Sequence, residues 1–353
     1  MLTKKLRVTK IRKKPAQKTY DIEVPVEHCF FANGVLSSNC KKIPIQTIPR
    51  DSKMRGMFIS HPGWRLVESD YSAEELRIAA WYSRDPVMTH EFATGGDPHK
   101  NTAAEIFKIE PEEVTKDQRK YAKSTNFGSL YGGSPRVLAD SINDKIELDE
   151  TPVTIKEAQK FADAWAKRYR GYVAWRYKVH AITKKNGQVV SPLGRIRRLP
   201  AIHSEEEKDR AEAQRQGPNS LIQGLGSDIC QLAAKRVLMR FSELKLHGRL
   251  RFPLHDANFF EIPDPEMLIS CKVIKEEMER NVVEGLFTPV EMKIFKERWA
   301  GDKWDLEVKT WDEDWAKLEE VFLPLESQPI TLFETLLTGC TNSDRVSTLP
   351  SQF

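Results

Sequence analysis

Residues 117–133, DQRKYAKSTNFGSLYGG, restrict the local fold more tightly than any other stretch of this chain. Arg119, Lys123, Phe127 and Tyr131 recur at every fourth position. At about 3.6 residues per turn, that spacing keeps all four on one slowly drifting face of a helix. Thr115 and Gln118 form a capping-box pattern ahead of it, and Gly132-Gly133 supplies a stop. Two cations precede two aromatics, so one face offers charge to a phosphate chain at one end and a ring to a base at the other. A core helix with Phe and Tyr turned inward and its cations solvated fits the same spacing.

Two further stretches place acids at the ends of strands. Trp64 to Ser69 reads as a buried strand ending at Asp70, and Ser72 with Glu75 opens a helix through Leu76, Ile78, Ala79 and Trp81. LRFPLHDANFFEIP (250–263) alternates on both sides of His255-Asp256 and reads as a hairpin with Asp256 near its turn. Each Asp alone fits a turn or cap equally well. Residues 217–237 read as a helix with an apolar stripe at Leu221, Leu225, Ile229 and Leu232. Polar residues Arg215, Asn219 and Gln223 recur at every fourth position along this stretch, a spacing that a buried polar helix face also shows. NGQVVSPLGRIRRLP (186–200) reads as a hairpin presenting Arg195, Arg197 and Arg198, suited to phosphate or simply solvated.

The 117–133 run, with SDYSAEELRIAA (69–80) and PLHDANFFEIP (253–263) in that order, resembles family A DNA polymerases, the DNA polymerase I type. The resemblance covers about residues 41–305. It implies an α+β fold with an antiparallel palm sheet and mostly helical fingers. It also implies Asp70 and Asp256 as ligands of two Mg²⁺ ions, with the Tyr71 backbone carbonyl as a third. Phosphoryl transfer needs charge neutralisation and an activated 3′-hydroxyl, which two metals about 4 Å apart supply. By the same resemblance Arg119 and Lys123 hold the triphosphate, Lys123 protonates the leaving pyrophosphate, and His99 adds a triphosphate contact. Phe127 and Tyr131 complete the nucleotide face, with Phe127 implying discrimination against dideoxynucleotides. Glu75 implies exclusion of a ribose 2′-hydroxyl, while Arg215, Asn219, Gln223, His255 and the three hairpin arginines imply contacts to primer-template DNA. One residue departs from the family: Ala257 stands where a supporting Glu follows the second catalytic Asp, which implies reduced turnover or altered metal preference.

The first forty residues read as a separate object. Tyr20, Ile22, Val24 and Val26 alternate before an Asn33-Gly34 turn, and Asn39-Cys40 follows. An Asn side-chain amide can cyclise on its own carbonyl and cleave the chain, and the next Cys can accept an acyl group. The stretch resembles the C-terminal fragment of a split intein, a small all-β (HINT) element. By that resemblance Asn39 cyclises, Cys40 is the downstream nucleophile and His28 assists. Ser38 replaces the His that many inteins carry before the terminal Asn. An ordinary β-hairpin ending in a chance Asn-Cys is the alternative. Residues 4–18 carry eight Lys/Arg and no acid, suited to an acidic partner fragment or to nucleic acid.

These readings divide the chain into an intein fragment (1–39), the first part of a palm (40–85), fingers (about 86–214), the second part of the palm (215–305) and an acidic tail (306–353). Net charge is +4, but residues 302–353 hold eleven acids against four bases, leaving 1–301 at +11. A basic body suits a polyanion. The tail, with Trp304, Trp311 and Trp315, reads as an appended helix followed by disorder. No apolar run is long enough to span a membrane, and five cysteines without metal spacing point to a reducing, cytoplasmic setting, host cytoplasm if the gene is a phage's. The expected partners are primer-template DNA, deoxynucleoside triphosphates and a separate chain bearing the N-terminal polymerase half and the N-terminal intein fragment. Two alternatives stand beside this: a non-catalytic DNA-binding or assembly subunit, and an unspliced two-chain polymerase.

Overall fold

Eight residues, WRLVESDY, six of them buried, form the middle strand of a five-stranded sheet, β3 (Trp64–Tyr71). In this computed structural model, residues 29–32, 35–38, 55–144, 152–299, 306–309 and 311–326 are described. The chain divides into two units, residues 1–49 and 50–353.

In the first unit, β1 (Cys29–Ala32) pairs antiparallel with β2 (Val35–Ser38), and Ala32 faces Val35 at the closed end. The expected Asn33-Gly34 turn falls in the two-residue gap between them. His28, Asn39 and Cys40 lie outside the described residues.

In the second unit β3 is paired on both sides. The antiparallel sheet has the order β6 (Arg249–Leu254), β7 (Ala257–Pro263), β3, β8 (Val290–Phe295), β9 (Leu306–Val308). Because side chains alternate across a strand, the sheet feeds two cores. Val67, Tyr71, Phe260, Ile262, Met292 and Ile294 join the main one. Leu66, Ala257, Phe259 and Phe295 form a smaller one with Trp299 on the other face.

Between β3 and β6 the chain is mostly helical: α1 (Glu74–Ser83), α2 (Pro86–Ala93), α3 (Pro98–Phe107), α4 (Lys116–Leu130), α5 (Pro135–Asn143), α6 (Ile155–Arg168) and α7 (Arg170–Asn186). The hairpin of β4 (Gln188–Val190) and β5 (Ile196–Arg198) follows, then α8 (Glu207–Glu243). Its 37 residues make a rod of about 55 Å. Leu221, Leu225 and Ile229 are buried along it as expected, but Leu232 is 38% exposed. Eleven positions make almost three full turns, so Leu232 returns to the azimuth of Leu221, while the buried stripe itself drifts on through Ile229 to Ala233 and Val237 and leaves Leu232 behind.

After β7 comes α9 (Met267–Glu279), and after β9 the tail helix α10 (Trp311–Glu326). The tail packs against the sheet domain: Leu318 and Phe322 are fully buried in the main core. The Arg65 guanidinium lies 4.7 Å from the Phe322 ring, and Lys272 and Lys275 of α9 sit over Trp315 and Trp311. Strand β9 was not expected from the sequence. The Ser/Thr-rich end from residue 338, read as disordered, lies outside the described residues. No described helix is long and apolar enough to cross a membrane.

Candidate active site

Asp70 and Asp256 meet at one end of the sheet for reasons of backbone register. Asp70 is the penultimate residue of β3 and lies opposite Ala257, the first of β7. The two-residue turn before Ala257 holds His255 in the left-handed region, φ 55°, and carries Asp256. The Tyr71 N–H donates to the Asp256 carbonyl across 3.3 Å, tying strand end to turn. One carboxylate oxygen of Asp70 is buried without a hydrogen-bond partner. Burial first, and then the Asp256 charge, hold its carboxyl well above the usual carboxylate range.

Two hard oxygen donors short of counter-charge fit Mg²⁺, which keeps several waters and takes few protein carboxylates. Among the described residues no three His, Cys, Asp or Glu side chains lie close enough to enclose a metal by themselves. A cation held at the Asp pair would therefore need further oxygen donors from backbone or solvent.

The expected Ser72–Glu75 capping box is absent. Ser72 is committed elsewhere: its N–H donates to the Pro289 carbonyl and its own carbonyl accepts from Arg77. Helix α1 therefore starts one residue later, from Ala73 in the left-handed conformation with no side-chain cap. Glu75 is released toward α4, where the Tyr131 hydroxyl sits beside its carboxylate and beside Gln223, short of full hydrogen-bond alignment with either. Burial pushes the Glu75 carboxyl up and the Tyr131 phenol far up.

Helix α4 carries the cation–aromatic face in graded exposure. Thr115 and Gln118 form the expected capping box. Arg119 and Lys123 are exposed, while Phe127 and Tyr131 are half-buried; Ala122, Thr125, Asn126 and Leu130 are fully buried beside them. Carbonyls at the helix end are satisfied from α7, by Tyr172 on Leu130 and Arg176 on Ser129. Gly132 then turns at φ 69°, a conformation that favours glycine. Arg119 is ion-paired at 2.6 Å with Asp97, which also caps α3.

His99 is 7% exposed and packs at 5.8 Å from the Phe127 ring. The Asn126 amide fixes its tautomer. Trp165 Nε1–H can only donate, so it claims the Asn126 oxygen at 2.8 Å, and the amide nitrogen donates to His99 Nδ1, also at 2.8 Å. His99 thus carries its proton on Nε2. Burial, then Lys123, lower its pKa to about 4.

The predicted DNA contacts fall on two neighbouring elements. Asn219 donates to the Tyr131 carbonyl at 3.4 Å, Gln223 is exposed, and Arg215 pairs with Glu212 one turn earlier. On the β4–β5 hairpin Arg197 and Arg198 are exposed, whereas Arg195 is forked onto Asp228 of α8. Sequence reasoning missed Asp97 and Asp228 because their partners are 22 and 33 residues away. It also missed Glu74, which is 3% exposed on the first turn of α1.

The described residues thus combine an antiparallel sheet carrying an acid pair at one end with a helix of ordered cations and aromatics. The model of DNA polymerase family A matches residues 2–305. DNA polymerase I of Geobacillus stearothermophilus is 34% identical over 253 residues, covering 70% of this chain and 28% of that protein. The Pseudomonas aeruginosa enzyme is 32% identical over 307 residues, covering 85% of this chain and 32% of its own length. Among solved structures, the POL domain of Pol1 from M. smegmatis, in complex with DNA primer-template and dNTP, aligns with a TM-score of 0.65 at 28% identity. It covers 76% of this chain and 46% of that one. The chain belongs to DNA polymerase family A. It spans about a third or less of the length of these curated relatives.

Proposed function

We propose that this chain is the catalytic C-terminal portion of a DNA-dependent DNA polymerase that adds deoxynucleotides to a primer 3′ end. The observation that carries the reading is the meeting of Asp70 and Asp256 at the sheet end, bridged to the α4 face through Glu75 and Tyr131. Asp70 and Asp256 would hold Mg²⁺ ions, which would supply charge neutralisation for the triphosphate and a more acidic 3′-hydroxyl. Arg119 and Lys123 hold the phosphates on the exposed end of α4, and Lys123 delivers the proton to pyrophosphate. Phe127 stacks the incoming base. His99, with Nε2–H as its only ring donor, offers a neutral hydrogen bond to the triphosphate rather than a charge. Glu75, held beside Tyr131, narrows the sugar pocket and selects deoxyribose. Arg215, Asn219, Gln223 and His255 contact the primer-template near the growing end, with Arg197 and Arg198 on backbone phosphate. Arg195 joins them by exchanging Asp228 for a phosphate. Primer extension tests the reading: Asp70→Ala in the assembled polymerase is expected to lower the rate at least about a thousandfold. Full activity in that variant removes Asp70 from the mechanism.

The remainder of the polymerase is supplied by a second chain through trans-splicing at Asn39/Cys40. Support comes from the residue pattern at 20–40 and from the β1–β2 hairpin, whose second strand ends at Ser38. The family match favours a second reading, because it begins at residue 2 and so takes in 2–39 as polymerase sequence. On that reading the segment is retained and the enzyme works without splicing. A non-catalytic assembly subunit is separated from both by the primer-extension test.

A further inference from the structure

Behind the acid pair lies a third carboxylate. Glu74 opens α1 with its side chain turned inward, 3% exposed, and its Oε1 is buried without a hydrogen-bond partner. Its other oxygen is pressed against α8, where a methyl at Gly226 would sit 2.6 Å from Oε2. The charged groups around it are Asp256, Glu75 and Asp70, in falling order of influence, and all act in the same direction. An isolated buried carboxylate is costly unless a positive charge or hydrogen bonds compensate it. Here the described surroundings supply neither, and at this end of the hairpin no acid follows Asp256, since the β7 residue opposite Asp70 is Ala257.

We propose that Glu74 is a supporting carboxylate of the metal pocket, placed behind Asp70 and Asp256 and compensated by the divalent cations they hold. The proposal rests on the Asp70–Asp256 reading. Glu74 acts through its field on the acid pair, as a positioning residue rather than a direct ligand. Gly226 is the residue that makes room for it: among the described residues of α8 it is the point where a side chain would meet the carboxylate. Substituting this position with an uncharged group removes a full negative charge from a site of low dielectric, where charge–charge terms are large.

The test is Mn²⁺ titration of the full chain, read by electron paramagnetic resonance of the free ion, with Glu74→Gln, Asp70→Ala, Ala257→Glu and the Glu74→Gln/Ala257→Glu double variant. Glu74→Gln preserves shape, and circular dichroism checks its fold. Expected are a loss of Mn²⁺ affinity of about tenfold in Glu74→Gln and a larger loss in Asp70→Ala. Ala257→Glu should then gain more in the Glu74→Gln background than in the native one, because two acids serving one cation site are coupled. Native affinity in Glu74→Gln with loss in Asp70→Ala overturns the role of Glu74 alone, as do equal gains from Ala257→Glu in both backgrounds. Native affinity in Asp70→Ala overturns the metal reading of the acid pair as well.

Discussion

His99 is held neutral by its neighbours, and this has a pH signature. Its folded-state pKa is depressed from 6.5 to about 4, so between those values the unfolded chain binds more protons than the native one. Stability contributed by neutral His99 is therefore full above about pH 6.5 and is lost as pH falls toward about 4. Chemical denaturation across that window should show a falling midpoint that His99→Gln flattens; an unchanged slope would mean that other groups set it. The same residue shows what a sequence can and cannot disclose. His99 stands out beside Asp97-Pro98, but its tautomer depends on Asn126 and Trp165, 27 and 66 positions away. Glu74 was overlooked for a related reason: moving the helix start by one residue exchanges which of two adjacent glutamates points inward.

Elements defined by local rules were readable. Helix α4 begins at its capping box and ends before its glycines, because both signals act within four residues. The β6–β7 turn was legible from alternation on its two sides. Strand β9 was not, since three residues at a sheet edge owe their conformation to pairing with β8 and carry too short a pattern of their own. Helix α10 was legible as a helix, but its burial was not, because Trp311 and Trp315 advertise an apolar face without naming its partner. Truncation at Phe322 gauges that burial. Phe322→Ala should destabilise the protein by about 3–5 kcal/mol, the usual cost of removing a buried aromatic ring. A denaturation midpoint equal to the native one would place α10 outside the cooperative unit.

For the molecule as a whole, the order of motifs along the chain was enough to anticipate an antiparallel sheet interrupted by a helical insertion. The strand order was not, because it depends on register between segments nearly two hundred residues apart, such as Trp64 with Pro263. Tandem mass spectrometry of the native protein decides how the chain is completed. A peptide joining foreign residues to Cys40-Lys41 identifies splicing and its partner, whereas a peptide reading Ser38-Asn39-Cys40 shows that residues 1–39 are retained. The far end of the chain presents a different kind of commitment. The family match stops at residue 305, yet α10 beyond it fills part of the main core and draws cations from β3 and α9 onto its rings. Anchoring of this depth makes the tail a keystone rather than an ornament: a chain cut before Trp311 would bare the apolar seat of Leu318 and Phe322 and strip Arg65, Lys272 and Lys275 of the rings they cover.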